Sequence, residues 1–442
     1  MSSQFTLLCR RRFLPFFLTQ FFGAFNDNVF KNALIVLITF QAAHWTTMQP
    51  AVLANLFAGV FILPFFLFSA TAGQLADKYD KARIARIVKI FEICCMLAAC
   101  IGFALESLAL LFFVLFLLGF HSTVFGPVKY AILPQHLAEH ELIGGNALVE
   151  AGTFIAILIG TLAGGLLAGT TNGTFWISSF GICIAVIGYI ASRSIPAAPP
   201  PEPELQINPN PVTETWRNIG FARKKRVVFM SIVAISWFWL YGALFLTQFP
   251  AYAKTVLGGN EDAVAVLLAT FTLGIGIGSL ACERISGHRI ETGIIPLGAI
   301  GMTVFGLDFY SASSSVQPAE HILGVRSLFS QLSIWRIMAD LILIGIFGGL
   351  FCVPLYAVMQ TRSDVSHRAR IIAANNIMNA LFIVTGTGAA AGLLAAGVSI
   401  PGLFGIATLA NAAISAYVFI RVPEFPLRFL QWTGWRRQGR KE

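Results

Sequence analysis

Twelve apolar stretches follow one another along this 442-residue chain, at about 13–40, 50–72, 84–105, 107–130, 143–169 and 174–192, then 227–250, 262–281, 292–311, 333–358, 371–398 and 400–420. A helix needs about 20 apolar residues to cross a bilayer. In lipid only helices and closed barrels satisfy every backbone group, and these continuous runs lack the alternation of a barrel strand. The expectation is an all-α membrane protein of twelve transmembrane helices in two six-helix halves. Composition agrees: 12% of residues are charged and 40 are Phe, against about 25% charged in an ordinary soluble domain. A soluble enzyme and a disordered chain are both excluded.

The formal net charge of +9 would suggest nucleic acid in a soluble protein. The positions of the charges give another reading. Lys and Arg mark the cytoplasmic side of a membrane protein, and with the N-terminus inside, 25 of the 30 fall on that face. The set runs from Arg10, Arg11 and Arg12 through Lys78, Lys81, Arg83, Arg86 and Lys89 to Arg362, Arg368, Arg370 and the C-terminal residues Arg436, Arg437, Arg440 and Lys441. The opposite face keeps Lys254, Arg326 and Arg336. The excess is an orientation signal, both termini are expected in the cytoplasm, and no nucleic-acid partner is expected. The run after Arg12 is too long for a signal peptide and reads as the first span.

Residues 196–211, PAAPPPEPELQINPNP, form a proline-rich stretch read as a solvated connector, followed by the basic run 223–226. The expected organisation is an N-terminal bundle at 1–195, a cytoplasmic linker at 196–226, a C-terminal bundle at 227–420 and a basic cytoplasmic tail at 421–442. The halves are weakly similar. FGPVKYAIL (125–133) matches FCVPLYAVM (351–359), and IGGNALVE (143–150) matches IAANNIMN (372–379). The seven cysteines show no metal-ligand spacing and read as small membrane residues. Neither metal nor cofactor is expected.

The loop between spans two and three reads GQLADKYDKAR (73–83). It resembles the signature G-x-x-x-D-[RK]-x-G-[RK] of the major facilitator superfamily, with Asp80 in place of the second glycine. Gly73, Asp77, Lys78, Lys81 and Arg83 are candidate gating residues; a solvated loop that only sets orientation is the alternative. The matching loop from Gly278 to Arg289 is degenerate, with Cys282 where an acid is expected.

Charge is scarce inside the spans, and a charge at mid-bilayer costs about 2.5–3.5 kcal/mol even on a lenient scale. Span one carries Gln20, Asn26, Asp27, Asn28, Lys31 and Asn32. Gln20, Asp27 and Lys31 share a helical face, as a substrate or coupling-ion site or as a pair that locks the bundle. On span four, Lys129 beside Tyr130 can hold a phosphate as a point charge or neutralise Asp27 or Glu150. Glu150 reads equally as a gate or a structural partner. His121 reads as a hydrogen-bonded membrane histidine or a member of the site. Trp237, Trp239 and Tyr241 mark span seven, where Trp239 can line a cavity or anchor at the interface. Asn375, Asn376 and Asn379 form a stripe on span eleven. Arg336 and Asp340, four apart, read as a local pair, while Glu92 and Asp308 stand unassigned inside spans.

Gly274, Gly276 and Gly278 read as helix-packing residues rather than a dinucleotide loop. There is no phosphate-binding G-x-x-x-x-G-K-[ST] motif and no H-x-x-x-x-D acyltransferase motif, so no enzymatic activity is expected. The stretches RFLPFFLTQFFGAFNDNVFKNALIVLITF (12–40), FGPVKYAILPQHL (125–137), LIGGNALVEAGTFIAILIGTLAGG (142–165) and LTQFPAYAKTVLGGNE (246–261) resemble the lysophospholipid transporter family of that superfamily. The resemblance implies a flippase for lysophosphatidylethanolamine-type lipids, working from the outer to the inner leaflet of a bacterial inner membrane. It implies membrane lipids as surroundings and a separate cytoplasmic acyltransferase as a partner for re-acylation. Asp27, Lys129 and Glu150 are the matched charged positions. The rival readings are an ion-coupled carrier of drugs or small polar solutes and a scaffold for an acyltransferase that transports nothing.

Overall fold

The structure, a computed structural model, describes residues 3–45, 50–316 and 323–434. The basic residues Arg436, Arg437, Arg440 and Lys441 of the tail lie outside the described residues. Twelve long helices carry the fold: α1 (Leu14–Trp45), α2 (Pro50–Lys78), α3 (Lys81–Ala104), α4 (Leu108–Ala131), α5 (Leu142–Ala168), α6 (Gly173–Arg193), α7 (Arg226–Thr255), α8 (Glu261–Ile285), α9 (Ile294–Ser314), α10 (Leu332–Arg362), α11 (Arg368–Ala395) and α12 (Ile400–Arg421). A linker helix (Pro211–Arg223) and a tail helix (Glu424–Trp432) lie outside this set.

Eleven helices among the described residues are long and apolar enough to cross a membrane. The twelfth, α1, is the longest, but its polar run from Gln20 to Asn32 lowers its hydropathy. Among the described residues there is no strand, only an isolated bridge between Gly259 and Leu323. Side chains close the helix starts where the chain re-enters from a turn. Asp80 accepts from Arg83 N in α3, Ser107 from Leu110 N in α4, Asn260 from Ala263 N in α8 and Ser399 from Gly402 N in α12. Each satisfies an amide that the helix itself cannot.

The chain divides into two compact units. The first comprises Met1–Glu139, Ile155–Lys224 and Ser363–Ile377; the second comprises His140–Phe154, Lys225–Arg362 and Met378–Glu442. In the first, α2 packs on α4, α3 on α4 and α6, and α1 on α6. Their shared core includes Phe30, Leu34, Phe57, Met96, Phe103 and Leu118. In the second, α10 is the central helix, packed against α7, α8 and α9, with α12 against α7 and α9. An aromatic cluster fills this unit: Phe245 lies 4.4 Å from Phe404 and 5.5 Å from Phe271, ring centroid to centroid. Of the three glycines expected to serve packing, Gly274 and Gly278 do so. A Cβ on either would meet the backbone of α10, at Ile342 and Ile346. Gly276 faces open space.

Candidate functional site

In the first unit the polar residues of α1 do not act as one face. Asn26 Nδ2 donates to Glu92 Oε1 at 2.8 Å. Asp27 accepts a short hydrogen bond from the Ser122 hydroxyl on α4. Asn28 turns back to the Ala24 carbonyl at 2.7 Å, and Asn32 reaches Thr161 on α5 at 3.0 Å. Lys31 Nζ stands 4.3 Å over the Phe61 ring of α2. The local pair of Asp27 and Lys31, the alternative to a substrate or coupling-ion site, gives way to separate partners on α4 and α2. Gln20 is buried.

Behind Asn26 lies a cluster that sequence reading left unassembled. On α3, Lys89 Nζ donates to Glu92 Oε2 at 2.5 Å, both side chains fully buried. His121 Nε2 on α4 stands 3.2 Å from the same oxygen, close enough for an ionic contact but not aligned as a hydrogen bond. Lys89, expected among the cytoplasmic charges, is thus an interior residue: Glu92 one turn on supplies the counter-charge that makes its burial tolerable. The usable signal was the i,i+3 spacing of a base and an acid inside an apolar run.

The 73–83 loop is built into the first unit with residues 363–377 and the linker. Asp77, at the end of α2, accepts from Ala369 N at 3.1 Å and Arg370 N at 3.3 Å. A carboxylate suits the amide-rich start of α11. It also accepts from Arg370 Nε at 3.0 Å, while Arg370 Nη2 donates to Glu202 of the linker at 2.5 Å. Gly73 permits this approach, because a Cβ there would lie 2.7 Å from Ala373 Cβ. Asp80, where the signature has glycine, caps α3 and also accepts from Ala198 N at 2.8 Å. Lys81 is buried near Asp77 and Asp80 instead of lying at the interface. Lys78 is half-buried and Arg83 exposed.

The linker expected to be a solvated connector is held down. Asn208 and Gln74 exchange two hydrogen bonds of 2.7 and 3.0 Å. Glu202 N donates to Asp77 O and Lys81 N to Ala198 O. Prolines leave its backbone with carbonyls and few amides to satisfy, so a short strap can be tied by a handful of bonds.

Further along α4, Lys129 is half-buried with Nζ 5.1 Å from the centroid of the buried Tyr130 ring. In the second unit Glu150 is buried. One turn on, Phe154 stacks on Trp239 at 5.7 Å, and Trp239 Nε1 donates to Tyr356 Oη at 2.9 Å. Trp239 is half-buried and held within that unit by these contacts. Trp237 and Tyr241 are buried, bonded to Asn411 and Thr408 of α12. Asn146 and Gln360 exchange bonds of 2.7 and 3.0 Å, and Asn379 accepts from Ser236. Arg336 does not pair along its helix with Asp340 as expected. Its Nε donates to Asp308 of α9 at 3.1 Å, because the packed neighbour helix presents a carboxylate nearer the guanidinium.

The major facilitator superfamily model matches residues 16–325. The chain belongs to the major facilitator superfamily. Within it, the chain is similar to the "Lysophospholipid transporter LplT" of Enterobacter sp. (strain 638), 28% identical over 78% of each chain. The protein of that name from Serratia proteamaculans (strain 568) is 27% identical over 81% of this chain and 82% of its own. Among solved structures, the human organic anion transporter MFSD10 superposes with a TM-score of 0.69 at 11% identity, covering 93% of this chain and 99% of its own. At that identity the likeness is one of fold. As a member of the superfamily the protein is a multi-pass membrane transporter. The pairing of the acid of the 73–83 loop with Arg370 was not legible from the loop alone. Among the described residues no group of three or more His, Cys, Asp and Glu could hold a metal ion.

Proposed function

We propose that this transporter is a lysophospholipid flippase, moving lysophosphatidylethanolamine-type lipids from the outer to the inner leaflet of a bacterial inner membrane by alternating access, where they supply re-acylation. The observation that carries this reading is the similarity, over about four-fifths of the chain, to proteins named for lysophospholipid transport. We place both termini in the cytoplasm, and the two halves on either side of the 196–226 linker.

The physical chemistry of the substrate supports the reading. A lysolipid has one acyl chain that can remain in hydrocarbon and a charged headgroup that cannot. Lys129 takes the phosphate as a point charge, and Asp27 or Glu150 takes the headgroup ammonium. An apolar track lies ready for the chain. Phe17, Phe21 and Phe25 stack one turn apart along α1, with centroids 6.1 and 6.4 Å apart, and Phe25 meets Phe180 of α6 at 5.9 Å. The ladder ends beside Asn26 and Asp27, where the polar residues begin. The Asp77–Arg370–Glu202 contacts stabilise one end state of the cycle.

Headgroup-resolved transport in proteoliposomes tests this. Lys129→Ala is expected to lower lysophosphatidylethanolamine flipping about 10-fold or more, the equivalent of one charge-assisted hydrogen bond. Unchanged flipping would remove Lys129 from the phosphate role. Uptake of hydrophilic solutes in place of lysolipid would overturn the substrate class.

A further inference from the structure

Asp308, Arg336 and Asp340 are not used by the reading above. They lie in the second unit, where α9 packs against α10. Arg336 holds Asp308 by one edge of its guanidinium: Nε donates to Oδ2 at 3.1 Å and Nη2 donates to Oδ1. The other edge, with Nη1, is not part of that fork, and the Arg336 side chain is 53% exposed. Asp340, one turn on along α10, is 4% exposed, and its Oδ2 is buried with no hydrogen-bond partner among the described residues. Its charged neighbours are Asp308 and Arg336. With both acids ionised the trio has one negative charge in excess, and a buried acceptor without a donor is costly until one arrives.

The trio stands at the level of lipid headgroups. Arg336 is four residues from the start of α10 at Leu332, and Asp308 is six from the end of α9 at Ser314, about 6 and 9 Å along a helix. The exposed side chains of Trp335 and Tyr310 flank them, the residue types that gather where hydrocarbon meets water. With the termini in the cytoplasm as proposed above, this is the outer leaflet.

We propose that this trio binds the phosphoethanolamine headgroup of an outer-leaflet lipid: the outer edge of Arg336 takes the phosphate, and Asp340 Oδ2 together with Asp308 takes the primary ammonium. The assignment rests on the lipid reading above and adds a place where the headgroup is held before it moves. A guanidinium has five donors in a fixed fork, so it grips a carboxylate on one edge and a phosphate on the other. An ammonium with three N–H donors reaches one oxygen of Asp340 and one of Asp308, and it brings the positive charge that the trio lacks. A trimethylammonium has the same charge and no N–H, so Asp340 Oδ2 stays without a donor. A divalent cation suits the place less, because the guanidinium already holds both oxygens of Asp308.

Lipid titration of the purified full chain in detergent, read by native mass spectrometry, tests the site. Lys129→Ala is built in throughout, so that the phosphate position proposed above does not contribute. Lysophosphatidylethanolamine is expected to bind about 10-fold or more tightly than lysophosphatidylcholine of the same acyl chain, the worth of one charge-assisted hydrogen bond. Equal affinity overturns the proposal. Asp340→Asn keeps the side-chain size and removes the charge, and is expected to bring that ratio near one; an unchanged ratio overturns the role of Asp340. Arg336→Lys keeps the charge and loses the fork. It is expected to weaken both lipids by a similar factor and leave their ratio standing; unchanged affinity overturns the phosphate role. Diacyl phosphatidylethanolamine, as a third titrant, separates a substrate from a resident lipid as the source of the headgroup. In proteoliposomes, Asp340→Asn alone is expected to raise the KM for lysophosphatidylethanolamine several-fold with kcat little changed, the mark of lost binding rather than lost turnover. An unmoved KM overturns its place on the transport route. If the parent moves no lysolipid, the substrate reading fails, while the binding ratio still decides the site.

Discussion

Glu92 sits fully buried beside a Lys and a His in helices that face hydrocarbon. Removing one member of such a pair leaves an uncompensated buried charge, which costs about 3–5 kcal/mol, whereas replacing both by apolar groups is often neutral. Glu92→Ala is therefore expected to lower thermal stability in detergent sharply, and Lys89→Met with Glu92→Met to recover most of the loss. A melting temperature unchanged in Glu92→Ala would mean that the pair is not closed in the membrane protein. Gly73 carries a different constraint. A methyl group there would press on Ala373 and on the Arg370 backbone 2.9 Å away, an overpacking cost of about 1–3 kcal/mol. Gly73→Ala should destabilise the protein and loosen the Asp77–Arg370 contact, read as faster cleavage of the linker by added protease.

The element that gained most from the structure is the linker. Its composition predicts a solvated connector; the structure gives it irregular backbone with a turn closed by Leu205 N on Glu202 O, then a helix from Pro211 to Arg223. What composition cannot report is where its few amides go. They go to Asp77 O and to Asp80 Oδ2, and Glu202 closes on Arg370. Replacing residues 196–209 by an equally long Gly/Ser chain keeps the covalent connection and removes these bonds. We expect the exchanged protein to be cut more readily between 196 and 226 and to show altered transport rates. Retained protection and unchanged rates would return the segment to the rank of a connector. The helices themselves were legible, because their apolar runs and their caps are local properties: Asp80, Ser107, Asn260 and Ser399 each act within three residues of their own positions. Pairings such as Arg336 with Asp308 were not, since four-residue spacing names a neighbour on the same helix and says nothing of the helix packed against it.

At the scale of the molecule, each compact unit takes a segment from far along the chain. The first contains Ser363–Ile377, and the second contains His140–Phe154. A fragment ending before the linker lacks Arg370, leaving Asp77 at the end of α2 without its guanidinium partner. Residues 1–195 expressed alone are thus expected to be less stable than the same residues co-expressed with 196–442, by yield and by melting temperature. Equal stability would show that the borrowed segment contributes little. Twelve helices, the superfamily and the scarcity of interior charge followed from the sequence alone, because lipid leaves a chain so few ways to satisfy its backbone and so few places for ions. The tertiary structure alone decided which charges meet. Burial and partnership depend on helices brought together across 66 residues for Asn26 and Glu92 or 293 for Asp77 and Arg370, distances over which hydrophobic periodicity carries no record of which face meets which.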